Sequence, residues 1–286
     1  MKRLTFKAMM FLAGLMIMAT SCNKTDESTT AGKGKLVLKI TDAPFPVSLV
    51  DKAMVTIDKI EIRAMDSTSG EVSDNEAMYT LLYEGEGKVY NLLDLQNGVA
   101  EELLSMDIDT GSYDLIRLHV VGAKILLKSG DSYDLKIHSG NSSGLKIKIS
   151  PELEIESGVE SEVLLDFDVS KSFVLQGSLN TPAGIKGFIF KPVLRAMCQK
   201  YSGSIEGMVS ENETTPIIEA NIQIVLADTV YSSALSDETG KYRLVGLPAG
   251  SYKLICEKQD YTTVEIDPVI VVAKEKTVQD IVMTKP

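Results

Sequence analysis

Tryptophan is absent from the 286 residues, histidine occurs twice and cysteine three times. The two imidazoles, His119 and His138, have no helical or hairpin ligand spacing, so a His-based zinc site lacks ligands. Three cysteines, Cys22, Cys198 and Cys256, do not make a disulfide framework; a Cys198–Cys256 bridge is the one intrachain pairing weighed, and structural thiols are the expectation. Missing indoles remove the broadest flat platforms for a sugar ring, leaving ten Tyr and seven Phe. Basic residues are also short, 29 against 40 acids, giving a net charge of -11. No basic cluster offsets it, which argues against nucleic acid as a partner. Long apolar runs are missing as well. The one at Ala8 to Ala19 spans 12 residues, whereas a helix crossing a bilayer needs about 20.

What is present begins at the N-terminus. Lys2, Arg3 and Lys7 precede the apolar run, and Ala19-Thr20-Ser21-Cys22 follows it. This is the layout of a secretory signal peptide over residues 1–21. The last four residues resemble the bacterial lipobox, with Ala19 where that motif usually carries Leu. The resemblance implies diacylglycerol on the Cys22 thiol, cleavage before it, and a membrane partner through the lipid anchor. Acyl chains hold a protein to a bilayer because each buried methylene contributes about 0.8 kcal/mol. Residues 22–34 are small and polar and read as a flexible tether. Lys24 with Asp26 and Glu27 resembles a surface-export signal, so the expected location is the outer membrane, facing outward, with the periplasmic face as the alternative.

Beyond the tether the apolar period is two. Leu145, Ile147 and Ile149 alternate with Lys146 and Lys148, Val163, Leu165, Phe167 and Val169 with Asp166 and Asp168, and Tyr252, Leu254 and Cys256 with Lys253 and Glu257. Turn signals at Ser129-Gly130-Asp131, Ser139 to Gly144 and Ser157-Gly158 separate such runs. The fold class is therefore all-β, two antiparallel β-sandwich domains in series after a signal peptide and short tether, over residues 35–199 and 203–286. In Val55 to Ile62 the apolar phase shifts from odd to even positions, which predicts a bulge near Asp58 and Lys59. One short helix is expected from Gln96 to Met106, and a surface loop from Met65 to Ala77.

The blocks Leu36 to Pro44, Val55 to Ile62, Asn91 to Leu95, Gly111 to Leu118, Ser143 to Lys146, Leu165 to Asp168 with Lys171-Ser172, and Lys191 to Ala196 resemble, in order, the lipoprotein-associated domain of unknown function 4382 (DUF4382). That resemblance implies an extracytoplasmic β-sandwich with no established activity. Gly203 to Val209, Ile218 to Ile222, Asp237 to Leu244 and Gly246 to Tyr252 resemble a carboxypeptidase regulatory-like domain, a small transthyretin-like module grouped with carbohydrate-binding-like folds. Gly240 and Pro248-Ala249-Gly250 turn two hairpins there, and Tyr242 and Tyr252 begin strands that bury them. Related adhesin modules carry a Lys–Asn cross-link; with only Asn212 and Asn221 in this stretch, none is expected.

Chemistry is sparse. Gly140-Asn-Ser-Ser-Gly144 fits G-x-S-x-G on paper, but a strand follows where a helix is required and no His follows Ser142. Asp166 and Asp168 share a strand face about 7 Å apart, nominally a carboxylate pair for glycoside hydrolysis. Lys171 is a ready ion-pair partner, and Lys191 and Arg195 are further ones, which favours structural acids. Asp107, Asp109 and Asp114 around Gly111 lack the EF-hand order for calcium. Asp42 before Ala-Pro reads as the end of a strand. The expected function is a non-enzymatic envelope lipoprotein, with no catalytic residues, no cofactor and no metal, presenting its domains to an extracellular glycan or protein or serving a structural role. The alternatives are a carbohydrate-binding module and a glycoside hydrolase built on Asp166 and Asp168.

Overall fold

The computed structural model describes residues 32–43, 49–65, 78–137, 143–178, 184–212 and 214–286. Cys22, His138, Ser142 and most of the loop expected from Met65 to Ala77 lie outside these residues. The chain is mostly β, with two β domains in series. The first contains β1 (Lys33–Ala43), β2 (Val50–Ala64), β3 (Tyr79–Asn91), β4 (Glu101–Asp109), β5 (Gly111–Leu127), β6 (Ser132–Leu135), β7 (Leu145–Ile155), β8 (Glu160–Asp168), β9 (Phe173–Gly177), β10 (Ile185–Phe190) and β11 (Leu194–Cys198). The second contains β12 (Ser202–Glu211), β13 (Thr215–Pro216), β14 (Asn221–Leu226), β15 (Thr229–Leu235), β16 (Lys241–Pro248), β17 (Gly250–Glu257), β18 (Val264–Val271), β19 (Lys276–Val278) and β20 (Ile281–Met283).

In the first domain the order β3-β2-β5-β7-β11-β8-β1-β4 forms one sheet, with β6 added beside β5. Its outer strands β3 and β4, consecutive in the chain, come into contact. The buried core of this domain holds Leu36, Leu38 and Ile40 from β1, Ile116 and Leu118 from β5, and Val163, Leu165 and Phe167 from β8, all 0% exposed. Alternation places these side chains on one face, and each such burial contributes about 1.5–3 kcal/mol. The β9–β10 ribbon is a separate pair; its Phe173 and Phe190 join Phe167 in an aromatic cluster with centroid spacings of 5.0 and 6.2 Å.

Pairing is predominantly antiparallel, but β1 runs parallel to β8, β11 to β7, and β12 to both β19 and β20. The expected bulge in β2 is present: both partner registers slip between Ile57 and Lys59, and Val55, Ile57, Ile60 and Ile62 are all buried. The expected helix from Gln96 to Met106 is not. Leu92–Leu95 forms a 3-10 turn, Asn97 and Gly98 take positive φ, and Glu101–Asp109 is β4 paired with β1. Leu103 is buried as a strand residue while Val99 is exposed. Long-range pairing outweighs helical periodicity here, and the Asn-Gly turn prevents a helix from starting at Gln96.

In the second domain, β12 with β13, β16, β19 and β20 packs against the sheet β15-β14-β17-β18. Ile205, Val209 and Leu244 meet Ile222, Ile224, Leu254 and Cys256 in its core. The hairpin signals act as expected. Asp237 accepts from the backbone N–H of Thr239 and Lys241, folding the turn that ends on Gly240 at φ 80°. Tyr242 and Tyr252 are 2% exposed. Each keeps its hydroxyl bonded, Tyr242 to the Gln279 carbonyl at 2.6 Å and Tyr252 to the Pro248 carbonyl at 2.7 Å. Tyr113 repeats the second device in the first domain, donating to the Asp109 carbonyl at 2.8 Å.

Candidate functional site

The end of β8 carries the two acids singled out from the sequence, and each has a partner. Asp168 begins the single helical turn Val169–Ser172 and accepts from the Lys171 backbone N–H at 3.1 Å and the Ser170 hydroxyl at 2.7 Å. The Lys171 ammonium lies 2.8 Å from its other oxygen. Burial alone would push this carboxyl up, but the bonds from Lys171 and Ser170 outweigh it and hold it below its ordinary value. Asp166 faces Arg195 across the β8–β11 register and pairs with its guanidinium. Burial pushes the Asp166 carboxyl up against that cation. Lys191, the other expected partner, donates its backbone N–H to the Ser172 carbonyl at 2.8 Å.

Asp42 ends β1 beside them, in register with Phe167. It is 5% exposed; one oxygen accepts from the Val169 N–H at 3.1 Å, and the Gln96 side chain also bonds the carboxyl. Burial, with Asp166 and Asp168 adding to it, raises its carboxyl well above the ordinary carboxylate range. Sequence reasoning saw only a strand end at this position. A raised acid beside a lowered one resembles an acid and base division of labour, yet Asp166 is committed to Arg195 and Asp168 caps a helix. Neither of the two clefts described below is lined by them.

A second charged cluster, missed in the sequence, covers the outer face of β2 and β5. Arg63 grips Asp114 through two bonds of 2.9 and 2.7 Å. Glu61 receives Arg117 at 2.7 Å, His119 at 3.1 Å and Lys59 at 3.2 Å. The Arg117 guanidinium stacks 3.8 Å over the Tyr79 ring centroid. Burial would raise the Glu61 carboxyl, but bonds from Arg117, Lys59 and His119 hold it at about 2. The signal in the sequence was charge alternating with apolar residues in both strands; the cross-strand register that joins opposite signs lies between segments more than fifty residues apart. Asp114 is thereby drawn away from Asp107 and Asp109, which stay exposed on β4. No three His, Cys, Asp or Glu side chains among the described residues are grouped to hold a metal.

Cys198 and Cys256 are free and buried, Cys256 packing its sulfur 3.5 Å from that of Met283. Burial pushes the two thiols up, to about 11 and about 12, which suppresses thiolate chemistry. Two clefts flank the domain junction. One of about 470 Å³ lies between Asn97 and the β12–β16 sheet, with Glu206, Met208, Lys241, Arg243 and Asp280 in its lining. The other, about 450 Å³, is lined by Glu154, Glu156, Glu160 and Glu162 with Lys200 and Lys274. Most of its charge is neutralised: Lys35 meets Glu160 at 2.8 Å, Lys39 meets Glu162 at 2.7 Å, and Lys200 meets Glu154 at 3.4 Å.

No curated protein matches the chain. Among solved structures it is similar to a type II cohesin–X-dockerin complex from Acetivibrio cellulolyticus, at 25% identity and a TM-score of 0.25. That match covers 29% of this chain and 58% of the other, so the chain spans little more than half the length of that relative. A putative carbohydrate binding protein from Bacteroides uniformis matches at 19% identity and a TM-score of 0.25, over 29% and 41% of the two chains. The shaft pilin spaA of Lactobacillus rhamnosus GG matches at 10% identity and a TM-score of 0.25, over 89% and 98%. At these scores the likenesses carry no functional argument. The two sequence families match more of the detail: a carboxypeptidase regulatory-like domain at residues 204–284 and, ahead of it, the domain of unknown function DUF4382 at 33–192. Because the latter match takes in more than half of the residues, this chain belongs to the DUF4382 family.

Proposed function

We propose that this chain is a lipid-anchored, extracytoplasmic envelope protein without catalytic activity, tethered through Cys22 to the outer membrane and displaying its two β domains to an extracellular glycan or protein. The observation that carries the non-catalytic part is the employment of the conspicuous carboxylates. Asp168 caps a helical turn, Asp166 is paired with Arg195, and Glu61 and Asp114 are locked to arginines. A hydrolytic site needs an acid and a base that both reach substrate. The anchoring part rests on the basic, apolar and small-residue order that ends at Cys22.

Labelled palmitate incorporation, compared between the wild type and Cys22→Ala, tests the anchor. Label in the wild type that disappears in the variant supports it, and a soluble, unlabelled wild type contradicts it. Digestion of intact cells by protease tests surface display, with cleavage of the protein as the expected result. A glycan and matrix-protein array probed with the full chain tests binding; silence across it would assign the domains a structural role. Turnover of a glycoside panel, lost in both Asp166→Asn and Asp168→Asn, would overturn the non-catalytic reading.

A further inference from the structure

The junction between the domains has no slack. Strand β11 ends at Cys198, Gln199–Tyr201 forms one 3-10 turn, and β12 starts at Ser202. The turn is itself tied down, since the Tyr201 carbonyl accepts from the Ala249 N–H at 3.4 Å. Gly246, at φ 67°, sits where a β-carbon would lie 3.1 Å from Leu164, so backbone of the second domain rests directly on a side chain of the first.

Arg195 crosses this junction. Its guanidinium pairs with Asp166 in its own domain, donates to the Tyr231 carbonyl in the other, and stacks 4.5 Å over the Tyr231 ring centroid. That carbonyl is available for a specific reason. The β14–β15 register passes from Ile224 opposite Ser232 to Val225 opposite Val230, so Tyr231 is the extra residue of a bulge and stands outside the ladder. Strand β15 is also the edge of its sheet, where carbonyls lack a neighbouring strand. The Tyr231 ring then meets Tyr252, 2% exposed in the core of the second domain, edge-on at 6.2 Å. One connected series thus runs from a strand of the first domain to the core of the second. Arg195 itself falls in the stretch between the two family matches.

We infer that Asp166 and Arg195 form a docking device whose partner is the bulged Tyr231 of the second domain, so that the two domains move and unfold as one body. Planar, forked guanidinium suits this task because it bonds a carboxylate, a carbonyl and a ring face together. The burial of the pair belongs to the docked state, since removing the second domain would expose its outer side.

The test uses the full-length chain with both charges removed together, Asp166→Asn with Arg195→Met, because either change alone leaves a half-buried charge unpaired. Calorimetry should show one unfolding transition for the wild type and two for the double variant. Hydrogen exchange should rise about tenfold in the peptide spanning residues 229–235 while that spanning 252–257 is unchanged, the signature of undocking without unfolding. A double variant that keeps a single transition and wild-type exchange would overturn the inference, as would a wild type that melts in two steps. A double variant that does not fold would assign the pair to the first domain's own stability and would also overturn it.

Discussion

Asp42, Glu61, Arg63, Asp114, Arg117 and Asp168 are all buried in the first domain, whereas the buried polar side chains described in the second are Ser202, Ser210, Ser232 and Ser236. The first domain buries charged side chains, whereas the buried polar groups described in the second are hydroxyls. Buried ion pairs lose much of their attraction to desolvation, so they add little net stability while making the loss of either partner costly. The first domain should therefore tolerate single changes at its polar positions poorly, and the second should respond to packing and hydroxyl changes on a smaller scale. Family membership rests on the domain with the buried charge.

The largest effect is expected at the Arg63–Asp114 pair. Arg63→Ala leaves Asp114 buried without its two-bond partner and should cost about 3–5 kcal/mol, read from the urea midpoint at constant slope. Replacing Arg63 by Met and Asp114 by Leu together should cost far less; an equal loss in both variants would break the contrast. In the second domain, Ser236→Ala removes a hydroxyl that donates to the Ile217 carbonyl at 2.6 Å and accepts from the Ala220 N–H at 2.8 Å. That change should cost about 1–3 kcal/mol by the same measurement.

Acid should separate the domains further. The folded value for Glu61 is about 2, against about 4.3 in an unfolded chain. A lowered carboxyl contributes stability fully above the unfolded value and loses it as pH falls toward the folded one. Thermal midpoints measured from pH 5 down to pH 2 should therefore fall, and Glu61→Gln should flatten that fall while lowering the midpoint at pH 7. Asp42 has the opposite sign. Its carboxyl is raised, so it binds a proton more readily folded than unfolded, and its cost grows as pH rises above about 3.9. Asp42→Asn should raise the midpoint at pH 7; a lowered midpoint would show the carboxyl to be ionised and useful.

Much of this architecture was legible in the residues. Alternation located the strands carrying Leu145, Phe167 and Tyr252, the phase change in β2 located its bulge, and Lys171 and Arg195 were identified as partners for the β8 acids. The helix expected from Gln96 to Met106 was wrong because the apolar residues Val99, Leu103 and Leu104 suit a helix face locally, while the deciding partner, β1, lies some sixty residues earlier. The charged face of β2 and β5 stayed hidden because sign alternation within one strand does not reveal what stands opposite in the next. Asp42 stayed hidden for a related reason, since its burial comes from parallel pairing with β8.

The proposed role depends on residues ahead of the folded domains, and the chain's own N-terminus tests it most directly. Mass spectrometry of protein purified from its native host should find a terminal peptide that begins at an acylated Cys22. Residues 1–21 still attached, or a Cys22 thiol carrying no lipid, would contradict it.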